Sequence, residues 1–332
     1  MVGRVKKRRV WGWVCLLILL VVGVSVFLNR EWLHDFYRGM IYQPSDEMAQ
    51  IRNDLNLTDR GEFLFNAVRP ELDGAAEFNS YCRDGESEIA VLGCYTSGNI
   101  YVYNIVDKRL EGIRELTTAH ELLHANYARM SESEKTELVA DLTRVFDANR
   151  DLLEGEINTY DVSQKQEELY VRAGTEVKDL PEVLEKHYAE IFEEQDKIVG
   201  YYNSYISVFK SLETEMKGLK AEMETIKTEL DTKMEEYEQK VTQLNAKIAD
   251  FNNCAETAGC FASEFEFYGQ RAELVTEQTA LVELYNEINE LVEVYNTKVE
   301  AYNADVLQNE KLNILINSAV QPQEIKQEEN GQ

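Results

Sequence analysis

The first thirty residues carry a block of apolar positions and no period. Arg4, Lys6, Lys7, Arg8 and Arg9 are followed by Val10 to Leu28, nineteen residues without a charge. At 1.5 Å per helical residue that run spans roughly 28 Å, the hydrocarbon thickness of a bilayer. Trp11 and Trp13 fall where indole rings meet lipid headgroups, and Cys15 reads as filler within the run. The order predicts one transmembrane signal anchor over 10–28, with residues 1–9 cytoplasmic and the remainder extracytoplasmic. A cleaved signal peptide is the competing reading. Its apolar region would usually be shorter, and Gly23-Val24-Ser25 matches a cleavage site only weakly. Residues 29–44, with Trp32, Phe36, Tyr37 and Tyr42 and ending at Pro44, read as a connector.

From Ser45 the pattern becomes periodic. Ser45 predicts the N-cap of a helix through Met48, Ile51 and Leu55, and Thr58 that of a second through Phe63, Phe65 and Val68, closed by Pro70. The one clear strand signal follows. Ile89 to Cys94 is a short apolar run, Thr96 to Asn99 is a turn, and Ile100 to Ile105 alternates β-branched and aromatic residues. The helix Thr117-Thr118-Ala119-His120-Glu121-Leu122-Leu123-His124-Ala125 comes next. Ser131 or Ser133 then caps a helix through Leu138, Leu142, Val145 and Leu152. Asp161 or Ser163 caps another carrying Glu167-Glu168-Leu169-Tyr170-Val171, ended by Gly174, and Leu180-Pro181-Glu182 opens the next. These elements delimit a domain over 45–203.

Beyond it a heptad seam begins. Phe209, Leu212, Met216, Leu219, Met223, Ile226 and Leu230 recur in steps of three and four and resume from Met234 to Phe251. A second seam runs from Leu281 to Val306, and the polar stretch Asn252 to Cys260 lies between them. The expectation is an antiparallel coiled-coil hairpin over 204–317, its turn centred near 264 with a lopsided loop. A parallel dimer or trimer is the alternative. Residues 318–332 are polar and expected to be disordered. The fold class is thus mainly α with a small β-sheet, plus a long antiparallel coiled-coil helical hairpin and one N-terminal transmembrane helix.

The net charge of −27 is carried wholly outside the basic start. It makes the chain a poor nucleic-acid ligand and argues against binding anionic lipid through charge. Outside the apolar run the cysteines fall into two close pairs, Cys82 with Cys94 and Cys254 with Cys260. That suggests two local disulfides in an oxidising compartment.

Only four histidines occur, and two of them, His120 and His124, frame HELLH. Residues i and i+4 share a helix face, so both imidazoles reach one metal ion, while Glu121 points about 100° away. The flanking Thr117, Thr118, Ala119, Leu122, Leu123 and Ala125 are uncharged, as a buried catalytic helix requires. A third protein ligand must complete such a site. No histidine follows at the HExxHxxGxxH spacing, since position 127 is Tyr and position 130 is Met.

The motif with Glu168-Leu169-Tyr170-Val171, 44 residues beyond His124, resembles the gluzincin class of metallopeptidases, particularly small bacterial ones. The resemblance implies an α+β zincin-like domain over 45–203, and in that class a glutamate on a later helix is the third ligand. The resemblance implies one Zn²⁺ per chain held by His120, His124 and Glu168, with Glu176 or Glu167 as rival ligands. It implies peptide-bond hydrolysis with Glu121 as general base, assisted at the oxyanion by His187 or Tyr188. Two positions differ from the class: Asn126 replaces an apolar residue, and Arg172 stands one turn after Glu168.

Partners follow from these features: a peptide or protein substrate, the membrane, and a coiled-coil partner or second copy. An extended substrate would add to an edge strand, for which Ile100–Ile105 is the candidate. Two other readings compete. One is a cell-envelope adaptor acting through the hairpin with a degenerate metal domain; the other is a zinc enzyme cutting peptidoglycan cross-links.

Overall fold

A computed structural model describes residues 4–82 and 91–319. The chain divides into two compact units, residues 1–208 with 313–332 and residues 209–312. In the first, α1 (Arg4–Leu28) is followed by α2 (Arg30–Ile41), α3 (Asp46–Asp54) and α4 (Asp59–Val68). Strand β1 (Glu71–Asp73), α5 (Ala75–Cys82), β2 (Gly93–Thr96) and β3 (Asn99–Tyr103) come next. Helices α6 (Ile113–Arg129), α7 (Glu132–Ala148), α8 (Arg150–Ile157), α9 (Val162–Glu176) and α10 (Glu182–Tyr188) complete it, with the start of α11 (Gln195–Ala255). Helix α12 (Glu264–Ile316) belongs mostly to the second unit.

The capping residues act as their chemistry requires. Ser45 accepts from the Met48 amide and Thr58 from the Gly61 amide. Ser131, not Ser133, caps α7 through a reciprocal capping box with Glu134. Asp161 occupies the N-cap of α9 without a side-chain bond.

Four local expectations are corrected. The segment 29–44 is not a plain connector, because Arg30–Ile41 is helical and its polar residues bond to the folded unit. Leu152 lies on α8, separated from α7 at Asn149, which leaves helical geometry at φ −122°. Gly174 does not end α9, which continues to Glu176. The candidate edge strand is the centre of its sheet. The strand order is β1-β3-β2, with β3 parallel to β1 and antiparallel to β2. Ile100, Val102 and Tyr101 are all buried, so this strand is apolar because it is covered on both sides. Ile89 and Ala90 lie outside the described residues.

The core gathers around α6. Leu122 and Leu123 are fully buried there with Phe65 of α4, Tyr170 of α9, Tyr188 of α10 and Phe192. Among the described residues no single helix is long and apolar enough to cross a membrane; Leu16–Phe27 and Arg30–Ile41 reach that length only as a pair bent by 70°.

The second unit is an antiparallel helix pair. Lys233–Glu287 (2.7 Å), Lys247–Glu277 (2.5 Å) and Lys298–Glu222 (2.6 Å) link α11 to α12, each step along one helix matched by a step back along the other. Leu212, Leu244, Leu281, Leu284 and Ile288 fill the seam. These pairs centre the turn near Cys260–Ala262, ahead of the expected 264, because the loop is short and nearly symmetric. The Cys254–Cys260 disulfide closes it, and Phe251, Phe261 and Phe267 cluster beneath. Ser318, expected in the disordered tail, is buried, and its carbonyl accepts from Asn79 of the first unit at 2.6 Å. The rest of the tail from 320 lies outside the described residues.

Candidate metal centre

Helix α6 presents His120 and His124 on one face, their ring centroids 5.1 Å apart, as the i, i+4 spacing dictates. Helix α9 crosses that face closely, and Gly174 is why it can. A Cβ there would lie 2.5 Å from Leu123 Cδ1 and 2.7 Å from Tyr188 Cε1. On the opposite side β2 approaches through Gly93, where a Cβ would meet Thr117 at 2.5 Å and Glu121 at 2.8 Å. The strand edge and α9 therefore face each other across the two histidines.

Glu168 enters this space from α9. Its carboxylate lies 3.5 Å from His124 Nε2 and 3.9 Å from His120 Nε2. Ligand atoms of the three residues all fall within 4.8 Å of one another. Four ligands at about 2.0–2.1 Å from a tetrahedral ion are spaced about 3.3 Å apart, so this arrangement fits a metal ion after small side-chain adjustments. Its two neutralisable imidazoles and a carboxylate suit a borderline divalent cation. The group could hold a metal.

Glu167, one residue earlier, points elsewhere. It hydrogen-bonds His124 Nδ1 at 2.8 Å and leaves Nε2 facing Glu168. A carboxylate on the far nitrogen is the usual device for fixing a ligating imidazole. The rival Glu176 is not among the converging ligand atoms. It is held by Arg172, which bonds Glu168 at 2.7 Å and Glu176 at 2.9 Å. The basic residue that differs from the metallopeptidase class thus braces the carboxylate it follows.

Glu121 is buried beside the histidines. Burial, with Glu168 and Glu167 nearby, pushes its carboxyl up to about 7, against the pull of His124 and a bond from the Tyr95 amide. Burial drives His120 down to about 3. The same burial acts on His124, but hydrogen bonds to Glu167 and Glu168 outweigh it and raise that ring to about 10. Burial likewise opposes ionisation of Glu168, yet His124, His120 and Arg172 hold it at about 2. The carboxylates of Glu167 and Glu168 thus favour positive charge at this position.

The cleft around these groups encloses about 650 Å³. It is lined by Val91 to Tyr95, by Tyr160 and Arg172, and by Tyr202, Tyr205 and Ile206 of α11. Strand β2 is the outer strand of the sheet here. The Tyr103 amide bonds to the Leu92 carbonyl at 2.8 Å. Antiparallel alternation then turns the main-chain groups of Gly93 and Tyr95 away from β3. The Cys82–Cys94 disulfide ties this strand to α5.

His187 and Tyr188 are not brought to the group. His187 Nε2 meets the Tyr170 hydroxyl at 3.0 Å, and Asn126 bonds the same hydroxyl at 2.8 Å. Tyr188 is fully buried and donates to the Tyr170 carbonyl at 2.7 Å. Both serve the packing behind α6. Asn126, the other difference from the class, is explained by that buried tyrosine, which needs a partner.

No protein-family model matches this chain, and no curated protein or solved structure matches it significantly.

Proposed function

We propose that the chain is a membrane-anchored, extracytoplasmic zinc metallopeptidase of gluzincin type. The observation that carries this reading is the convergence of His120, His124 and Glu168 in one open cleft, with Glu121 buried beside them. A zinc ion held by those three residues would supply Lewis acidity to the scissile carbonyl and the attacking water. Glu121, buried beside them, would accept the proton of that water and return it to the leaving amine. Glu167 fixes the His124 ring, and Arg172 fixes Glu168. An extended peptide would pair with the outward main chain of Gly93 and the Tyr95 carbonyl, the Tyr95 amide being bonded to Glu121, so the substrate edge is β2 in place of the strand expected from sequence. The oxyanion role expected of His187 or Tyr188 falls to neither, since both are held in the packing behind α6. The uncharged run Val10–Leu28 is read as the anchor, with the basic residues before it in the cytoplasm.

The test is metal analysis of the purified chain beside His120→Ala and Glu168→Ala, followed by hydrolysis assays on a peptide library. About one zinc per chain, lost in both variants, with peptide cleavage by the wild type only, is expected. A folded wild type that takes up no zinc would end this reading.

One observation favours a second role for the other unit. Phe265, beside the hairpin tip, is 88% exposed and Tyr268 60% exposed. Such a tip suits a protein partner, as an adaptor would require. Binding of envelope proteins that survives Glu121→Gln but is lost in Phe265→Ser would support that role.

A further inference from the structure

Helix α2 is amphipathic in the reverse of the usual sense. Its two central charged residues, Asp35 and Arg38, face the folded unit. Arg38 donates to the Ala67 and Gly98 carbonyls, each at 2.8 Å, and Asp35 pairs with Arg129 at 2.8 Å. Gly39 lies against α4, where a Cβ would meet Asn66 at 3.3 Å. Its apolar residues point the other way. Trp32, Leu33, Phe36, Tyr37, Met40 and Ile41 recur at one face of a 3.6-residue helix and are all exposed, Met40 by 65% and Tyr37 by 58%. Phe63 of α4 extends the patch, stacked on Trp32 at 6.2 Å.

What covers this face is indicated by what precedes it. Asn29 alone separates α2 from α1, whose apolar side chains from Leu16 to Phe27 are exposed, and the two helices meet at 70°. A helix crossing a bilayer and bending by that angle continues nearly along the membrane plane. Trp and Tyr beside aliphatic residues are the composition of an interfacial helix. The strongly acidic chain offers no general electrostatic attraction to lipid, so the contact must be apolar.

We propose that the exposed face of α2 is seated in the acyl–headgroup boundary of the bilayer that α1 enters, so that the first unit is docked on the membrane by a second contact. The proposal rests on the reading of α1 as an anchor. It goes further, because the same helix braces the substrate edge. Arg129, held by Asp35, donates to the Tyr95 hydroxyl at 2.9 Å, and Arg38 bonds Gly98 and Asn99 in the β2–β3 turn. The cleft edge therefore lies about one helix diameter, roughly 10 Å, from the lipid surface. Polypeptide segments close to the membrane are the substrates this placement favours.

The test uses the full chain in phosphatidylcholine vesicles containing lipids brominated at shallow or deep acyl positions. Trp11→Phe with Trp13→Phe leaves Trp32 as the single tryptophan; Trp11→Phe with Trp32→Phe leaves Trp13 to report the anchor. Trp32 is expected to be quenched more by shallow than by deep bromines and to be shielded from iodide. Adding Phe36→Glu and Met40→Glu should cut that quenching several-fold while Trp13 is unaffected. Trp13 quenched by lipid with Trp32 open to iodide overturns the docking and leaves the anchor standing. Trp32 shielded from iodide but not quenched by bromolipid also overturns it, since a second copy or another protein then covers the face. Failure of Trp13 to meet lipid overturns the anchor, and the docking with it.

Discussion

His124 and Glu167 are joined across two helices at 2.8 Å, so the second nitrogen of a candidate metal ligand already has its carboxylate. Two adjacent acids on α9 thereby divide the work. Glu168 faces Nε2 of the ring, and Glu167 holds Nδ1. Replacing Glu167 with Gln should retain the metal site but weaken its affinity by about 10- to 100-fold. Glu168→Ala should abolish stoichiometric binding. Competition against a fluorescent zinc chelator measures both. Equal losses in the two variants would show that the division of roles is mistaken.

Glu121 is expected to matter to chemistry and not to metal binding. Glu121→Gln keeps the size of the side chain and removes its basicity. It should bind zinc at the wild-type level while hydrolysis falls by about 10²- to 10⁴-fold. Metal analysis and peptide turnover on one preparation decide this. Retained turnover would remove Glu121 from the mechanism.

Gly174 tests the packing that brings Glu168 to the two histidines. Alanine there places a Cβ within 2.5 Å of Leu123 and 2.7 Å of Tyr188, inside the core. A loss of about 1–3 kcal/mol in urea unfolding is expected, with weakened metal affinity as α9 is displaced from α6. Unchanged stability would mean that α9 has room to move without cost.

Asp73 gives a pH signature away from the metal group. Burial, reinforced by Glu77 and Glu71, raises its carboxyl from 3.8 to about 6. The folded chain thus binds the proton more tightly than the unfolded chain. This contribution to stability is present below about pH 4, is lost as pH rises through 6, and stays lost above. Asp73→Asn should therefore be more stable than wild type at pH 7.5, by about 1 kcal/mol once solvent screening is allowed for, and nearly equal to it at pH 4. Thermal unfolding at the two pH values reads the difference. A variant less stable than wild type at pH 7.5 would show that the carboxylate is favourably held.

Much of this molecule is local in its sequence. Caps at Ser45, Thr58 and Ser131 need only the next turn of chain, and the heptads of α11 and α12 require a partner helix whose polar tip makes an antiparallel return natural. The pairs Cys82–Cys94 and Cys254–Cys260 close short loops. His120, Glu121 and His124 are set by helical spacing alone, and the structure brings Glu168 to them. The role of Glu167 was legible in principle, since consecutive helical acids point about 100° apart and a ligating imidazole has two nitrogens to satisfy.

The remainder depends on which surfaces meet, which no short window of sequence encodes. Strand β3 carries the strongest strand signal because it is central and covered, and that same burial disqualifies it as the edge a substrate would join. Gly174 resembles a helix stop in sequence, and only the crossing of α6 and α9 reveals it as clearance. His187 looked like a spare catalytic group until Tyr170 and Asn126 closed around one hydroxyl. The tyrosines of α11 reach the cleft from a helix whose later turns read as coiled coil. Local rules determined the placement of His120 and His124 on one helix face; the packing of distant helices decided what faces them, because side-chain contacts across a core depend on the register of elements far apart in the chain.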